Sequence, residues 1–257
     1  ENNKYGKEMI FALLHETGNN AAEIACHFGP SDHPEVPGRW QYYGVSLPFW
    51  RSYDKEDPRR EFFYYDYTGD AKRDDQSDYG FHYMVPEEGV TVVPNDTTKY
   101  MQNVATMKYT YDMISDAYYD GRTICIFRLS DVILCKAEIE NNLNGPAAAL
   151  PYLNQIRARA GAPEYGKHNR FPAPSTKEAM NDAILKERGY ELVFEFQRRA
   201  DLIRFGKYEE VVNAHLKKLG IAQPTNVTSS LRYFPYPLND AQLNPNLAAE
   251  NPSRLPK

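Results

Sequence analysis

Between residues 30 and 94 a proline or glycine falls every few positions. Pro30, Pro34, Pro37, Gly38, Pro48, Pro58, Gly69, Gly80, Pro86, Gly89 and Pro94 interrupt the chain. Proline removes a backbone donor and fixes φ, and glycine resists being held in a regular element, so this stretch has room for short strands and loops but for no long helix. Near residue 125 the pattern changes, and apolar residues begin to recur at helical spacing. The break predicts a loop- and aromatic-rich region over 1–125 and a helical region with an extended tail over 126–257. The fold class expected is mainly α: a tetratricopeptide-type helical pair beside a loop-rich region with short strands.

Within the first region, Met9 to Leu14 is apolar throughout and reads as a strand buried on both faces. Val90 to Val93, ended by Pro94, reads as a second strand. Phe62 to Tyr65 reads as a strand with one face buried. In the second region, Leu129, Val132, Ile133, Ala137 and Leu143 approximate a helical stripe stopped by Gly145-Pro146. Ala149, Tyr152, Leu153, Ile156 and Ala160 form another, ended by Gly161 and Pro163. Pro151 is expected to kink that helix or delay its start. The short turn makes the two helices antiparallel, with Ile133 and Ile156 buried. One such pair cannot bury both of its faces, so further helices must stack on it.

A third helix starts at a capping box, Ser175 with Glu178, and draws apolar surface from Met180 to Phe196, with Glu195 and Arg199 spaced as an i,i+4 pair. Residues 201–205 continue or restart it, and Gly206 ends it. Beyond Gly220, Pro224, Pro235, Pro237, Pro245 and Pro252 permit at most a short turn around Asn239–Leu243.

Composition narrows the function. Lys and Arg total 30 against 35 Asp and Glu, a formal charge of -5, which argues against a nucleic-acid binder, whose footprint is a basic stripe. A mean hydropathy of -0.67 points to much exposed loop around a smaller helical core. The three cysteines, Cys26, Cys125 and Cys135, form neither a disulfide framework nor a zinc pair. The six histidines show no metal-binding spacing, and Asp74, Asp75 and Asp78 read as a solvated acidic loop because the calcium-loop pattern is not there. No nucleophile elbow or phosphate-cradling glycine loop occurs. No catalytic residue, metal or cofactor is therefore expected.

The aromatic residues carry the stronger signal. From Arg39 to Tyr67 stand both tryptophans, Trp40 and Trp50, and a run of tyrosines and phenylalanines. An aromatic face attracts the C–H bonds of a sugar ring, while Arg, Gln and Asn hold its hydroxyls. Phe49, Trp50 and Tyr53 have the spacing of a buried helical turn and read as core. Pro37-Gly38 should form a turn that lifts Arg39, Trp40, Gln41, Tyr42 and Tyr43 outward. Pattern alone leaves open whether Trp40 and its tyrosine neighbours stand exposed or in the core. If the platform lies elsewhere, Tyr64, Tyr65, Tyr79 and Tyr83 are the next candidates.

Six segments in order resemble the SusD/RagB family. They are Arg128–Glu138 ("RxADVLLMYAEA" in the family), Tyr152–Gly161 ("INQVRARAG"), Ile184–Glu195 with Arg199–Lys207 ("ILNERRxELAFE…RWFDLIRWGK"), the tail Tyr236–Pro252, Glu8–Phe11 ("EIIFEI") and Asp57–Arg60 ("DPRR"). The match belongs to the C-terminal half of a family member. The resemblance implies a SusD-like helical fold and a non-catalytic, cell-surface glycan-binding protein. It also implies an outer-membrane location through a lipid anchor carried by the N-terminal part, and a SusC-like TonB-dependent transporter as partner. In the family, the aromatic platform comes partly from the loop that here holds Arg39 to Tyr43. Arg128, Glu138, Arg157, Glu191 and Arg204 are implied to be fold signatures, not ligand contacts. A glycan-degrading enzyme and a ligand-free transporter scaffold are the competing readings. The missing catalytic motifs weigh against the first and the loop aromatics against the second.

Overall fold

The computed structural model describes residues 6–16, 27–30, 33–34, 41–69, 82–88, 98–101, 103–108, 121, 123–218, 227–228, 232–244 and 246–247. The chain forms two compact units, Glu1–Phe196 and Gln197–Lys257. The mainly α expectation holds: short strands fill the first part of the chain and helices the second.

The helical layer of the first unit contains α2 (Leu129–Asn144), α3 (Pro146–Ala160) and α4 (Lys177–Glu191). Gly145, at φ 90°, is the whole connection between α2 and α3, so the two pack antiparallel as one hairpin. Pro146 opens α3, where its missing N–H costs nothing, and Gly161 closes it in the left-handed region at φ 72°. The helix therefore starts before Pro151 and runs through it, with Pro151 on its exposed side. α4 stacks on both. Its N-cap is Thr176, whose hydroxyl accepts from Ala179 N at 3.1 Å, one residue later than the expected Ser175. The helix stops at Glu191, short of Phe196, because Phe194 and Phe196 both take positive φ.

Leu134, Ala137, Leu153, Ile156, Met180 and Ile184 meet in this layer, each at most 1% exposed. Burying each of the larger ones contributes about 1.5–3 kcal/mol. The inward face of α2 differs from the expected stripe. Ser130, Asp131, Leu134, Ala137 and Asn141 are buried, Ile133 is half-buried, and Leu129, Val132 and Leu143 are exposed. The reason is polar pairing. Arg188 of α4 reaches Asp131 at 2.7 Å, and the Asn141 amide donates to Lys177 O and Asn181 Oδ1. Those bonds rotate the polar positions inward.

The aromatic part of the unit is built on three small sheets. β1 (Met9–Leu13) pairs antiparallel with β8 (Ile124–Arg128). β7 (Asn103–Thr106) lies between β2 (Val45–Ser46) and β3 (Phe63–Tyr64). β4 (Asp66–Thr68), β5 (His82–Met84) and β6 (Thr98–Tyr100) form the third, with β5 and β6 parallel. Between them sit α1 (Leu47–Arg51), begun by Pro48, and a 3-10 turn over Pro58–Phe62 capped by Asp57. Trp50, Tyr53, Phe63, Tyr67 and Val104 close a core with Tyr190 of α4, and the Tyr53 and Tyr190 rings stack 4.2 Å apart. Trp50 and Tyr53 are thus core, as their spacing suggests, and Phe63 is the buried face of its strand. The ribbon β1–β8 is the exception. Ile10, Phe11 and Leu13 are exposed, so β1 is a strand but not a doubly buried one. Val90 to Val93 lies outside the described residues.

A charge network joins the aromatic part to the helices. Arg59 bonds Asp57, Glu187 and Glu191 at 2.8, 2.7 and 3.1 Å. Arg128 reaches Glu8, Glu191 and Glu195, each at 2.8 Å, and Arg157 reaches Glu187 at 2.8 Å. Lys108 is held by Glu195 and by the carbonyls of Glu191 and Val193. Glu195 thus bonds across the unit, not within a helix as its spacing to Arg199 suggested, because α4 has ended four residues earlier. Arg128, Arg157 and Glu191 hold the fold, as the motif reading implied.

In the second unit, α5 (Arg198–Arg204) ends at Gly206 in the left-handed region, as expected. α6 (Tyr208–Lys218) adds a helix that the motifs did not announce, and α7 (Leu238–Leu243) is the short turn of the tail. Arg204 reaches Asp201 at 2.9 Å, and Arg232 reaches Glu209 at 2.7 Å.

Candidate functional site

The segment Gln41–Gly44 leads into β2, and its base is fixed by β7. Val45 pairs with Val104 and Ser46 with Asn103. Gly44 is required at that crossing. A Cβ there would lie 2.7 Å from Asn103 Oδ1 and 3.0 Å from Val104 O, closer than such contacts occur. The same Asn103 Oδ1 accepts from the Gln41 side-chain amide at 3.3 Å. Gln41 takes φ 48°, a conformation rare for a residue other than glycine. A turn that costs backbone strain, held by a side-chain bond to a neighbouring strand, keeps one geometry.

That geometry presents Tyr42 and Tyr43 to solvent, at 64% and 58% exposure. They are not loose. Tyr43 N donates to His27 O at 3.1 Å, and the Tyr43 ring lies 5.6 Å from Phe28. Phe28 is buried edge-on against Phe194 at 4.8 Å. The Tyr42 ring lies 5.4 Å from the His27 imidazole. The result is two adjacent phenol rings standing out from a small aromatic base, flanked by an amide and an imidazole. Apolar faces beside polar rims suit a ligand that has both.

Of the residues singled out from sequence, Gln41, Tyr42 and Tyr43 stand together on this segment. Arg39 and Trp40 lie outside the described residues, as do Cys26, Tyr79 and the acidic positions Asp74, Asp75 and Asp78. The second aromatic group is more enclosed. Tyr83 stacks on buried Tyr67 at 5.0 Å, and Tyr64 meets His33 at 4.8 Å. Sequence reasoning missed His27, Phe28, Asn103 and Phe194 as supports. Gly44 was the one local sign that another chain segment passes close by.

A separate cavity of about 370 Å³ is lined by Phe62, Lys108, Arg128, Arg159 and Glu191 among others. Its charged groups already answer one another. Burial pushes the Lys108 ammonium down, with Arg128 adding to that effect and Glu195 opposing it. Burial pushes the Glu191 carboxyl up, but Arg128, Arg159 and Arg59 outweigh it and hold the group at about 2. This cavity belongs to the frame. Among the described residues no group of three or more His, Cys, Asp or Glu is arranged to hold a metal ion.

Known proteins share this architecture. SusD-like protein P25 of Formosa agariphila is 39% identical over 120 residues, 47% of this chain and 22% of that protein. The starch-binding protein SusD of Bacteroides thetaiotaomicron is 28% identical over 137 residues, 52% of this chain and 22% of that protein. Surface glycan-binding protein A from Bacteroides thetaiotaomicron, solved in complex with laminarihexaose, shares the fold. It superposes with a TM-score of 0.60 at 20% identity, over 92% of this chain and 50% of that one. The chain thus spans less than a quarter of these two curated relatives and half of the solved structure. The family model of SusD matches residues 27–253, nearly the full length, including the helical layer, the charge network between it and the aromatic part except Glu8, and the Tyr42–Tyr43 segment. By that match the chain belongs to the SusD family.

Proposed function

We propose that this chain binds glycan, without catalysis, at the segment carrying Gln41, Tyr42 and Tyr43. Arg39 and Trp40, outside the described residues, are assigned to the same site from the sequence alone. The observation that carries the reading is the pair of adjacent exposed tyrosines on a base fixed by Asn103, Phe28 and His27. Rings held in place before a ligand arrives lose little freedom on binding, which favours affinity. Each ring offers a face to a pyranose, and the Gln41 amide offers hydrogen bonds to its hydroxyls. A starch-binding relative and a glycan-binding structural relative support the ligand class.

In this reading the protein works at the cell surface, on the outer membrane, and passes oligosaccharide to a SusC-like TonB-dependent transporter. A lipid anchor outside these residues holds it there. No helix among the described residues is long and apolar enough to cross a membrane. The role needs no cofactor and no metal.

The test is a glycan-array screen, followed by calorimetric titration of the best glycan and chromatography of the mixture after long incubation. Saturable binding with the glycan recovered intact is expected. Failure to bind any glycan, or product release abolished by changing one carboxylate, would overturn the proposal.

A further inference from the structure

A second cavity, of about 250 Å³, lies between the loop that follows α1 and the helices α3 and α4. Three cations line it, Arg51, Arg157 and Lys186, against two carboxylates, Asp54 and Asp57. Both carboxylates are answered by arginines outside the lining. Arg59 bonds Asp57 at 2.8 Å, and Arg170 bonds Asp54 at 3.1 Å. The cations are answered less fully. Arg51 donates to Pro86 O, which carries no charge. Lys186 has no carboxylate at ion-pair distance among the described residues, and its ammonium lies 5.6 Å over the Tyr190 ring. Burial pushes that ammonium down, with Arg157 adding to the effect and Glu187 and Asp54 opposing it. Arg157 is 2% exposed. Its Nε donates to Pro163 O and its Nη1 to Glu187 at 2.8 Å, and the guanidinium lies 4.8 Å from the Tyr165 ring and 4.7 Å from that of Phe171. These contacts fix the group and leave Nη2 with no acceptor among the described residues. Buried donors normally have one.

We propose that this cavity binds one small oxyanion, held by Arg157 Nη2 and Lys186 Nζ. A guanidinium presents its donors to an oxyanion in a fixed plane, and an ammonium adds a compact charge beside it. The motif reading makes Arg157 structural, and its Nε and Nη1 are used in that way. The remaining nitrogen is what the cavity adds. A volume of about 250 Å³ falls below the roughly 300–1,000 Å³ of ordinary small-molecule sites, so the ligand is small. Two sources share this chemistry: a free inorganic oxyanion and the carboxylate of an acidic sugar. Neither Tyr42 nor Tyr43 lines the cavity, so the site is separate from the tyrosine segment and stands or falls without it.

The experiment is calorimetric titration at constant ionic strength with inorganic sulfate, inorganic phosphate, acetate and glucuronate, with glucose as the neutral control. Saturable binding of at least one anion at one site per chain, and none of glucose, is expected. Glucuronate binding more tightly than the inorganic ions assigns the site to an acidic sugar, and the reverse order assigns it to a free ion. Lys186→Gln should weaken binding about tenfold or more, the scale of one charge-assisted hydrogen bond. Lys186→Arg should restore most of it. Lys217→Gln, at an exposed position of α6, changes the net charge equally and should leave binding as in wild type. The Arg157 Nε–H resonance of the unaltered protein should shift along the same titration curve, a readout that needs no variant to fold. No saturable binding by any anion would overturn the proposal, as would wild-type affinity in Lys186→Gln or an equal loss in Lys217→Gln. So would saturation without movement of the Arg157 resonance, which would mark an adventitious ion only.

Discussion

The helical layer and the tyrosine segment hold themselves in opposite ways. The layer is fixed by buried ion pairs that reach across long sequence distances: Arg128 joins Glu8 to Glu191 and Glu195, and Arg59 joins Asp57 to Glu187 and Glu191. Arg128 and Arg59 each bond three carboxylates, so the loss of one disturbs several pairs at once. The segment Gln41–Gly44 is fixed by one amide bond to Asn103, one backbone bond to His27 and ring contacts, and its two tyrosines remain mostly in water. Changes at their tips disturb nothing beneath. The contrast teaches how one frame can carry an exposed aromatic surface: the frame is held by buried ion pairs, and the segment meets it only through the Asn103 bond, the His27 bond and ring contacts to His27 and Phe28.

The largest effects should come from breaking the frame. Glu187→Ala removes the carboxylate that pairs with buried Arg157 and one of the three that hold Arg59, and should cost about 3–5 kcal/mol, the usual result of removing one partner of a buried pair. Urea denaturation reads this directly, and a loss under about 1 kcal/mol would show the network to be dispensable. Trp50→Ala should also cost about 3–5 kcal/mol, since the ring is 5% exposed and packs at 5.2 Å against Tyr65. Ile156→Ala, in the helical layer, should cost about 2–5 kcal/mol on the same assay.

Acid should weaken the frame. Glu191 has its folded pKa depressed from 4.5 to about 2, so the folded state binds its proton less readily than the unfolded chain does. Its contribution is therefore complete above pH 4.5 and is lost as the pH falls from there through about 2. The depression corresponds to about 3 kcal/mol at 1.36 kcal/mol per pKa unit. Stability measured across that window should fall in wild type and fall less in Glu191→Gln, which has no such proton to bind. Parallel curves for the two proteins would remove Glu191 from the account.

Much of this frame is legible in the sequence, and the misses have physical causes. Gly145-Pro146 and Gly161 announce the α2–α3 hairpin because those residues suit the ends of helices and little else. The face of α2 that turns inward was not legible, because Asp131 and Asn141 are buried by bonds to Arg188, Lys177 and Asn181, residues 36 or more positions away. Hydrophobic spacing sees only Leu129 and Val132, which in fact face outward. β1 shows the same limit: an apolar run tells that a strand seeks cover, not whether these residues supply it. At the site, Gln41, Tyr42 and Tyr43 were readable from their chemistry. Their supports were not, since Asn103 is 62 positions from Gln41 and no local pattern connects them.

The smallest effect on stability should accompany the largest effect on binding. Tyr42→Ala and Tyr43→Ala remove exposed rings, and each should change stability by less than about 0.5 kcal/mol.

The most direct test of the account is a paired titration and melting curve on Tyr42→Ala and Tyr43→Ala, set against Trp50→Ala, using the glycan selected on the array. A stacked aromatic anchor contributes about 2 kcal/mol or more, so each platform variant should bind about thirtyfold more weakly with its melting temperature unchanged. Trp50→Ala should melt early and, wherever it is still folded, bind like wild type. Wild-type affinity in both platform variants, or unfolding caused by either one, would contradict the separation of platform from frame.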